Sequence, residues 1–102
     1  MIILDLAKAS RGGGQISIPV TFSATGLISS NGVQVLTVML NGKPAINLGT
    51  VGNLGDFPYG ASKQITLVFP DSAVKGTSGV LEVIGGYNAT QTFALNTNVI
   101  VQ

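Results

Sequence analysis

The feature of the sequence that most constrains the fold is the dipeptide Asn41-Gly42, which separates two apolar runs within residues 33–49. Asn-Gly is the strongest short-range signal for a two-residue type I′ hairpin, because both turn residues need a positive φ angle and these two types tolerate it best. A turn of this type also fixes the register of the strands on either side. It predicts that Leu40 faces Lys43 and that pairing continues outward along both runs.

The predicted register divides the side chains of the first hairpin strand between two faces of the sheet, because successive residues point in opposite directions. We expect the core face to carry Val35, Thr37 and Met39. The opposite face carries Leu36, Val38 and Leu40. Burial of a large aliphatic side chain is worth about 1.5–3 kcal/mol, so another strand or another molecule should cover this trio. We therefore predict a protein interface at these three residues.

The surface of the folded chain must carry very little charge. Only 9% of the 102 residues are charged, against about 25% in an ordinary soluble domain. Weak charge gives a protein little protection against association, so the composition favours a protein that works within an assembly. The net charge is +1, from five basic and four acidic residues scattered along the chain. Nucleic-acid-binding proteins cluster Lys and Arg, so we expect no nucleic-acid partner.

The residue types on which most enzymes depend are missing. The chain has no histidine and no cysteine, which removes the commonest general base, thiolate nucleophiles and zinc–thiolate sites. The four acidic residues match no calcium-loop motif. We predict no enzymatic activity, no cofactor and no metal. Asp5 interrupts the apolar start of the chain, and no apolar run approaches the ~18 residues of a membrane span, so neither a signal peptide nor a membrane partner is predicted.

We predict a single β-sandwich domain over residues 1–102, in which residues 1–14 form an N-terminal strand or arm followed by a glycine hinge. The apolar face of this arm carries Ile2, Leu4 and Leu6. We predict that this face is a second part of the partner interface. The three consecutive glycines that close the segment form either a flexible corner between strands or a hinge that lets the arm pair with a neighbouring molecule.

Further along the chain, alternation of apolar and polar residues predicts strands over 15–23 and 62–69. Pro19 cannot donate a hydrogen bond to a neighbouring strand, so we expect the first of these strands to lie at an edge of its sheet or to turn Pro19 outward. The loop that follows it should tuck Leu27 and Ile28 beneath itself.

The remainder of the chain predicts a short helical turn and a second hairpin. Residues 71–76 are typical of one helical turn with Asp71 as its N-cap. Residues 79–84 and 90–95 form the hairpin, and residues 96–101 form a final strand segment or arm. Seven or eight short strands with one short helical turn predict an all-β, antiparallel β-sandwich, either immunoglobulin-like or jelly-roll-like.

The stretch 49–60 has no clear periodicity, and a loop of this length in a compact domain is often functional. Its candidate ligand-binding side chains are Asn53, Asp56, Phe57 and Tyr59. Aromatic rings on a loop stiffened by proline can stack on a sugar or enter a protein pocket, while polar side chains bond to hydroxyl groups. A glycan is therefore the candidate ligand of this loop. In the alternative interpretation, Phe57 plugs the open end of the sandwich.

Four segments in the second half of the chain follow one another as a strand, a short capped turn and a final hairpin. They are Q-I-T-L-V-F-P at 64–70, D-S-A-V-K-G at 71–76, G-V-L-E-V at 79–83 and T-F-A-L at 92–95. In this order they resemble bacterial and phage immunoglobulin-like modules. The resemblance covers roughly residues 33–95. It implies an accessory part of a phage or other virion, such as a head decoration protein.

We therefore expect a non-enzymatic virion structural protein at the capsid surface. As a capsid decoration or accessory protein, it would form a homo-oligomer and dock on a larger protein shell through the predicted interface. The alternative is a carbohydrate-binding or adhesion module that uses the Phe57 and Tyr59 loop.

Overall fold

The structure is a computed structural model that describes residues 2–25 and 29–102. In chain order the elements are β1 (Ile2–Leu6), β2 (Ser10–Gly12), β3 (Gln15–Ala24), β4 (Ser30–Leu40), β5 (Lys43–Pro44), α1 (Leu48–Val51), β6 (Asn53–Phe57), β7 (Ser62–Pro70), the 3₁₀ turn Asp71–Ala73, β8 (Ser78–Tyr87) and β9 (Gln91–Ile100). Two of the nine strands among these residues, β2 and β5, are only three and two residues long. The prediction for Leu27 and Ile28 lies outside the described residues.

The strands form two antiparallel sheets. The first sheet has β3 at its centre, with β1 and β2 in succession along one side and β7 along the other. The second sheet has β4 between β8 on one side and β5 and β6 on the other. β9 lies beyond β8 and is the outermost strand. The predicted all-β, antiparallel sandwich is confirmed.

The core lies between the inner faces of the two sheets. The fully buried residues of β3 are Ile16, Ile18, Val20 and Phe22, as the alternation predicted. The buried residues of β4 and β8 include Val33, Val35, Val38, Leu40, Leu81 and Val83. The rings of Phe22 on the first sheet and Phe93 on the second meet edge to face, with centroids 5.9 Å apart. Side chains of the two sheets are therefore in direct contact.

β3 is a central strand, so the edge position predicted for it is wrong, whereas Pro19 does point outward, between the buried residues Ile18 and Val20. The Pro19 carbonyl accepts a hydrogen bond from the Ala7 amide at 2.9 Å. In an extended strand the N and O atoms of one residue face the same side, so the missing N–H of Pro19 also points toward β1. At this point the ladder is interrupted, because pairing stops at Leu6 and resumes at Ser10, one residue out of step. The break between β1 and β2 thus accommodates a proline inside the sheet.

The predicted N-terminal arm is part of the sandwich. β1 pairs over its whole length with β3 of its own chain. Ile2 is buried, and Leu4 and Leu6 are half-buried against the core. The prediction that this face is free to bind a partner is therefore wrong, because the face covers the first sheet's own core.

The glycine-rich segment forms a hairpin. Gly13 and Gly14, with φ angles of 60° and 78°, make a two-residue turn between β2 and β3. From β2, the Arg11 side chain donates a hydrogen bond to the Val74 carbonyl at 2.6 Å and lies 3.2 Å from the Asp71 carboxylate. Asp71 stands inside the 3₁₀ turn and makes no side-chain cap bond, so its predicted N-cap role is wrong. The contact with Arg11 replaces it.

The central hairpin is confirmed at its turn. The observed pairs are Leu40 with Lys43 and Met39 with Pro44. Asn41 and Gly42 have φ angles of 51° and 82°, as a type I′ turn requires.

The Ala45 amide still donates to the carbonyl of its predicted partner Val38 at 3.2 Å. After Ala45 the chain leaves β4 and crosses to the first sheet, so the pairing predicted beyond this residue is wrong. The Ile46 amide donates to the Val68 carbonyl at 2.8 Å. The Asn47 side chain donates to the Thr66 carbonyl at 2.8 Å and accepts from the Val68 amide at 3.0 Å. Asn47 thereby satisfies backbone groups along the edge of β7 as a neighbouring strand would. The first half of β4 pairs with β6 instead.

A β-bulge in β4 reverses the predicted faces of this strand beyond Leu36, while Val35 faces the core as predicted. The pairs on either side of it are Val35 with Gly85 and Thr37 with Ile84. Leu36 is the extra residue between them, and it shifts the alternation by one. Val38 and Leu40 therefore face the core with 1% and 0% exposure, whereas Leu36 is 61% exposed. The prediction of an outward-facing trio is wrong for Val38 and Leu40, and Thr37 and Met39 occupy the outer face in their place.

The second hairpin forms from β8 and β9, as predicted, but residues 85–87 of the predicted connection continue β8 and the turn lies at residues 88–90. Val83 pairs with Leu95 on the inner side, and Glu82 points outward. Residues 96–100, predicted as a final strand segment or arm, continue β9 in the same register.

Candidate protein interface

The second sheet turns a largely uncharged face away from the core. The side chains of this face form rows across β4, β8 and β9. The rows are Thr37–Ile84–Ala94, Met39–Glu82–Asn96 and Val80–Asn98. We call these eight residues, together with Leu36, the outer face of the second sheet. Val80 and Ile84 are 44% and 38% exposed.

Among the residues of this outer face, Glu82 is the one that carries a charge. It is half-buried between Met39 on one neighbouring strand and Asn96 on the other. An exposed apolar surface bordered by neutral polar groups is typical of a site for protein association. The amides of Asn96 and Asn98 and the hydroxyl of Thr37 supply that border.

Leu36 forms a ridge on the outer face, because the bulge pushes its side chain away from the sheet. Two shallow clefts lie against it. The first, of about 310 Å³, lies toward the β8–β9 turn and is also lined by Tyr87 and Thr90. The second, of about 420 Å³, lies toward α1 and is also lined by Leu48 and Gly52. An apolar ridge between two clefts gives this surface a shape that a partner can complement.

The outer face of the first sheet has a different character. Its polar side chains are Ser17, Thr21, Ser23, Gln64 and Thr66. The apolar side chains on the same face include Ile3, which is 44% exposed, and the half-buried Val68. Short hydroxyl side chains leave little apolar area to bury against a partner. The apolar side chains that the fold leaves outside the core are therefore more prominent on the second sheet.

Sequence analysis missed Val80 and Ile84 as surface residues. The signal that could have found them is Glu82, because a carboxylate in the middle of a strand favours the solvent side. Residues two positions before and after it must share its face. β8 is therefore apolar on both faces, and a strand of this kind has a second surface to bury.

The predicted ligand loop is not an open loop, because residues 49–51 belong to α1 and residues 53–57 form β6. Phe57 is fully buried, so the interpretation that it plugs the sandwich is confirmed and its role as a ligand platform is wrong. The Lys63 ammonium lies 5.1 Å from the Phe57 ring centroid and donates to the Leu54 carbonyl at 2.5 Å. These contacts fix β6 against β7 and leave no face of the Phe57 ring for a sugar.

The polar residues of the same segment are engaged with the backbone. The Asp56 carboxylate accepts a hydrogen bond from the Gly32 amide at 2.8 Å, and the Asn53 side chain accepts one from the Gly55 amide at 3.2 Å. Of the four predicted residues, Tyr59 alone presents a largely free side chain, which is 64% exposed.

The described residues contain no group of three or more His, Cys, Asp or Glu side chains that could hold a metal ion. Within the same part of the chain, no helix is long and apolar enough to cross a membrane. Compared with the models of known protein families and with curated proteins, the sequence matches none of them.

Proposed function

We propose that the chain is a non-enzymatic structural protein of a virion, a capsid decoration or accessory protein that self-associates and docks on a larger protein shell. The observation that carries the proposal is the outer face of the second sheet, where Leu36, Val80 and Ile84 are exposed and Glu82 is the one charge. Exposure of this apolar surface to water is unfavourable, and its burial against a partner lowers the free energy.

The composition supports the same proposal. A chain with 9% charged residues has little electrostatic protection against association. The lack of histidine and cysteine leaves the chain without the commonest side chains for acid–base and nucleophilic catalysis. The virion is the particular setting that follows from the resemblance of residues 33–95 to phage and bacterial immunoglobulin-like modules.

The test quantifies the chain by mass spectrometry in purified virus particles assembled with wild-type protein, with Ile84→Asp or with Gln64→Asp. Ile84→Asp puts a carboxylate in the docking surface, whereas Gln64→Asp puts the same charge on the exposed outer face of the first sheet. We expect the wild type and Gln64→Asp in regular stoichiometry with the shell subunit, and Ile84→Asp reduced at least about tenfold. Circular dichroism checks that both variants fold. Particles that lack the wild-type chain, or that take up both variants equally, contradict the proposal.

We keep a carbohydrate-binding or adhesion module as the second candidate function because of Tyr59. This ring is 64% exposed and follows Pro58 in the connection between β6 and β7. One ring offers a small stacking surface, so the expected binding is weak. Glycan-array binding that disappears in Tyr59→Ala supports this candidate, and the absence of binding on a broad array removes it.

A further inference from the structure

The edge of β9 is a free strand edge with a regular pattern of backbone groups. β9 pairs with β8 without a register shift over ten residues. In the continuation of this ladder, the Val101 amide donates to the Thr77 carbonyl at 2.8 Å. Because antiparallel pairs alternate between bonded and non-bonded, the odd-numbered residues of β9 bond to β8. The N–H and C=O groups of the even-numbered residues therefore point away from the sheet.

One end of this edge already pairs with the chain itself. The Gln102 amide donates to the Ala9 carbonyl at 3.2 Å, and Ala9 forms a parallel bridge with Val101. Lys8 lies beside the same end. The part of the edge that remains open runs from Thr92 to Asn98, and its outward backbone groups belong to the even-numbered residues from 92 to 98.

Features that normally prevent edge-to-edge pairing occur on the other edges and are missing from β9. Charged side chains, prolines and bulges on edge strands oppose pairing with another molecule. The β1–β2 edge carries Asp5 and Arg11 and is interrupted between its two strands. β7 carries Lys63 and is partly covered by Asn47. The β5–β6 edge carries Lys43, Pro44 and Asp56.

By contrast, residues 83–102 contain no charged residue and no proline. β9, which lies within this range, is the longest edge strand among the described residues, and its pairing with β8 has no bulge. The composition of β9 thus leaves its edge open to a partner strand, while the other edges of the described fold are protected.

We propose that β9 pairs antiparallel with β9 of a second copy of this chain, about a two-fold axis at Leu95. This axis uses the whole open stretch, because residue 92 then faces residue 98 and residue 94 faces residue 96. These residues form four hydrogen-bonded pairs. The pairs join the second sheet of one copy to the second sheet of the other as one continuous sheet. We choose a second copy of the chain as the partner because β9 carries no charge. Two β9 strands can therefore lie side by side without electrostatic repulsion, and the same register serves both copies. The pairing gives a surface to the self-association in the proposed function, and it rests on that function only for its biological setting.

The side chains fit this register. Asn98 faces Thr92 and Asn96 faces Ala94 on the outer side, so polar groups of each copy lie next to small or polar groups of the other. On the inner side the half-buried Leu95 meets its own counterpart at the axis. The two Leu95 residues form a non-hydrogen-bonded pair, in which the strands are closely spaced, so their side chains come into contact.

The test uses sedimentation equilibrium and amide hydrogen exchange on the purified chain. Asn96→Pro removes an outward N–H within the proposed pairing and no bond to β8. Ile100→Pro is the matched control, because it removes an outward N–H from the same strand outside the pairing. We expect a mass of twice 10.4 kDa for the wild type and Ile100→Pro. For Asn96→Pro we expect the dimer dissociation constant to rise about tenfold or more.

Hydrogen exchange separates this interface from any other. In the dimer the amides of Thr92, Ala94, Asn96 and Asn98 are protected, and dilution to monomer releases them while the odd-numbered amides stay protected. A wild type that remains monomeric at millimolar concentration overturns the proposal. So does a dimer in which the even-numbered amides exchange fast, or one that Asn96→Pro leaves intact. These measurements need no virus particle, so a failure of docking and a failure of β9 pairing give different results.

Discussion

The ring of Phe93 packs against the α-carbon of its cross-strand partner Gly85 so closely that a β-carbon at residue 85 would overlap the ring. The carbonyl of Gln34 occupies the remaining space beside Gly85. Gly85 is also the residue opposite Val35, next to the bulge in β4. The missing side chain at this position therefore admits Phe93 to the core and leaves room for the backbone of the bulge.

Substitution of Gly85 tests this arrangement. We expect Gly85→Ala to lower the free energy of unfolding by about 1–3 kcal/mol, because the new methyl group forces the ring and the bulge apart. Gly76→Ala is the control, since a β-carbon there meets open space and its φ angle is not positive. Urea denaturation followed by circular dichroism measures both. Equal stability of Gly85→Ala and the wild type would show that the contact is not tight.

Asn41 joins the central hairpin to the 3₁₀ turn and to β8. Its side chain donates to the Ala73 carbonyl at 2.9 Å and accepts from the Val80 amide at 2.8 Å. Asn41→Gly keeps the positive φ angle but removes both bonds, so we expect a loss of about 1–2 kcal/mol in the free energy of unfolding. Asn41→Asp keeps only the hydrogen-bond acceptor, so its free energy of unfolding should lie between those of the wild type and Asn41→Gly. If Asn41→Gly is as stable as the wild type, Asn41 contributes only its positive φ angle in the turn and the two side-chain hydrogen bonds do not stabilise the fold.

Ser30 is a place where the fold can be improved. Its side chain is fully buried, and its hydroxyl has no hydrogen-bond partner among the described residues. A buried hydroxyl without a partner costs free energy, so Ser30→Ala should raise the free energy of unfolding by up to about 1 kcal/mol. Ser17→Ala, at a half-buried position on the outer face of the first sheet, should change it by less than about 0.5 kcal/mol. Thermal unfolding of the two variants decides the point, and a lower melting temperature for Ser30→Ala would contradict it.

The parts of the fold that could be predicted are those set by local chemistry. The turn at Asn41 and Gly42 depends on which residues accept a positive φ angle, and the pairs next to it are as predicted. The inward residues of β3 follow from simple alternation. Composition and strand spacing were sufficient for the sandwich class.

The parts that could not be predicted depend on distant segments. The Asn47 side chain takes the place of a strand beside β7, which no local pattern indicates. The bulge at Leu36 depends on Gly85, about fifty residues away. The sequence does contain a trace of the bulge, because Val33 and Val35 alternate in one phase while Val38 and Leu40 alternate in the other. One extra residue between them lets all four point inward.

The position of the outer face depends on this bulge, and the most direct measurement is urea denaturation of Leu36→Asp beside Val38→Asp. Each variant places one carboxylate on β4, two residues apart. We predict that Leu36→Asp changes the free energy of unfolding by no more than about 0.5 kcal/mol, because its side chain is in solvent. Val38→Asp should lower it by more than about 3 kcal/mol, because it buries an unpaired charge in the core. If Val38→Asp is tolerated and Leu36→Asp unfolds the protein, β4 has the opposite alternation and the docking surface is not where we place it.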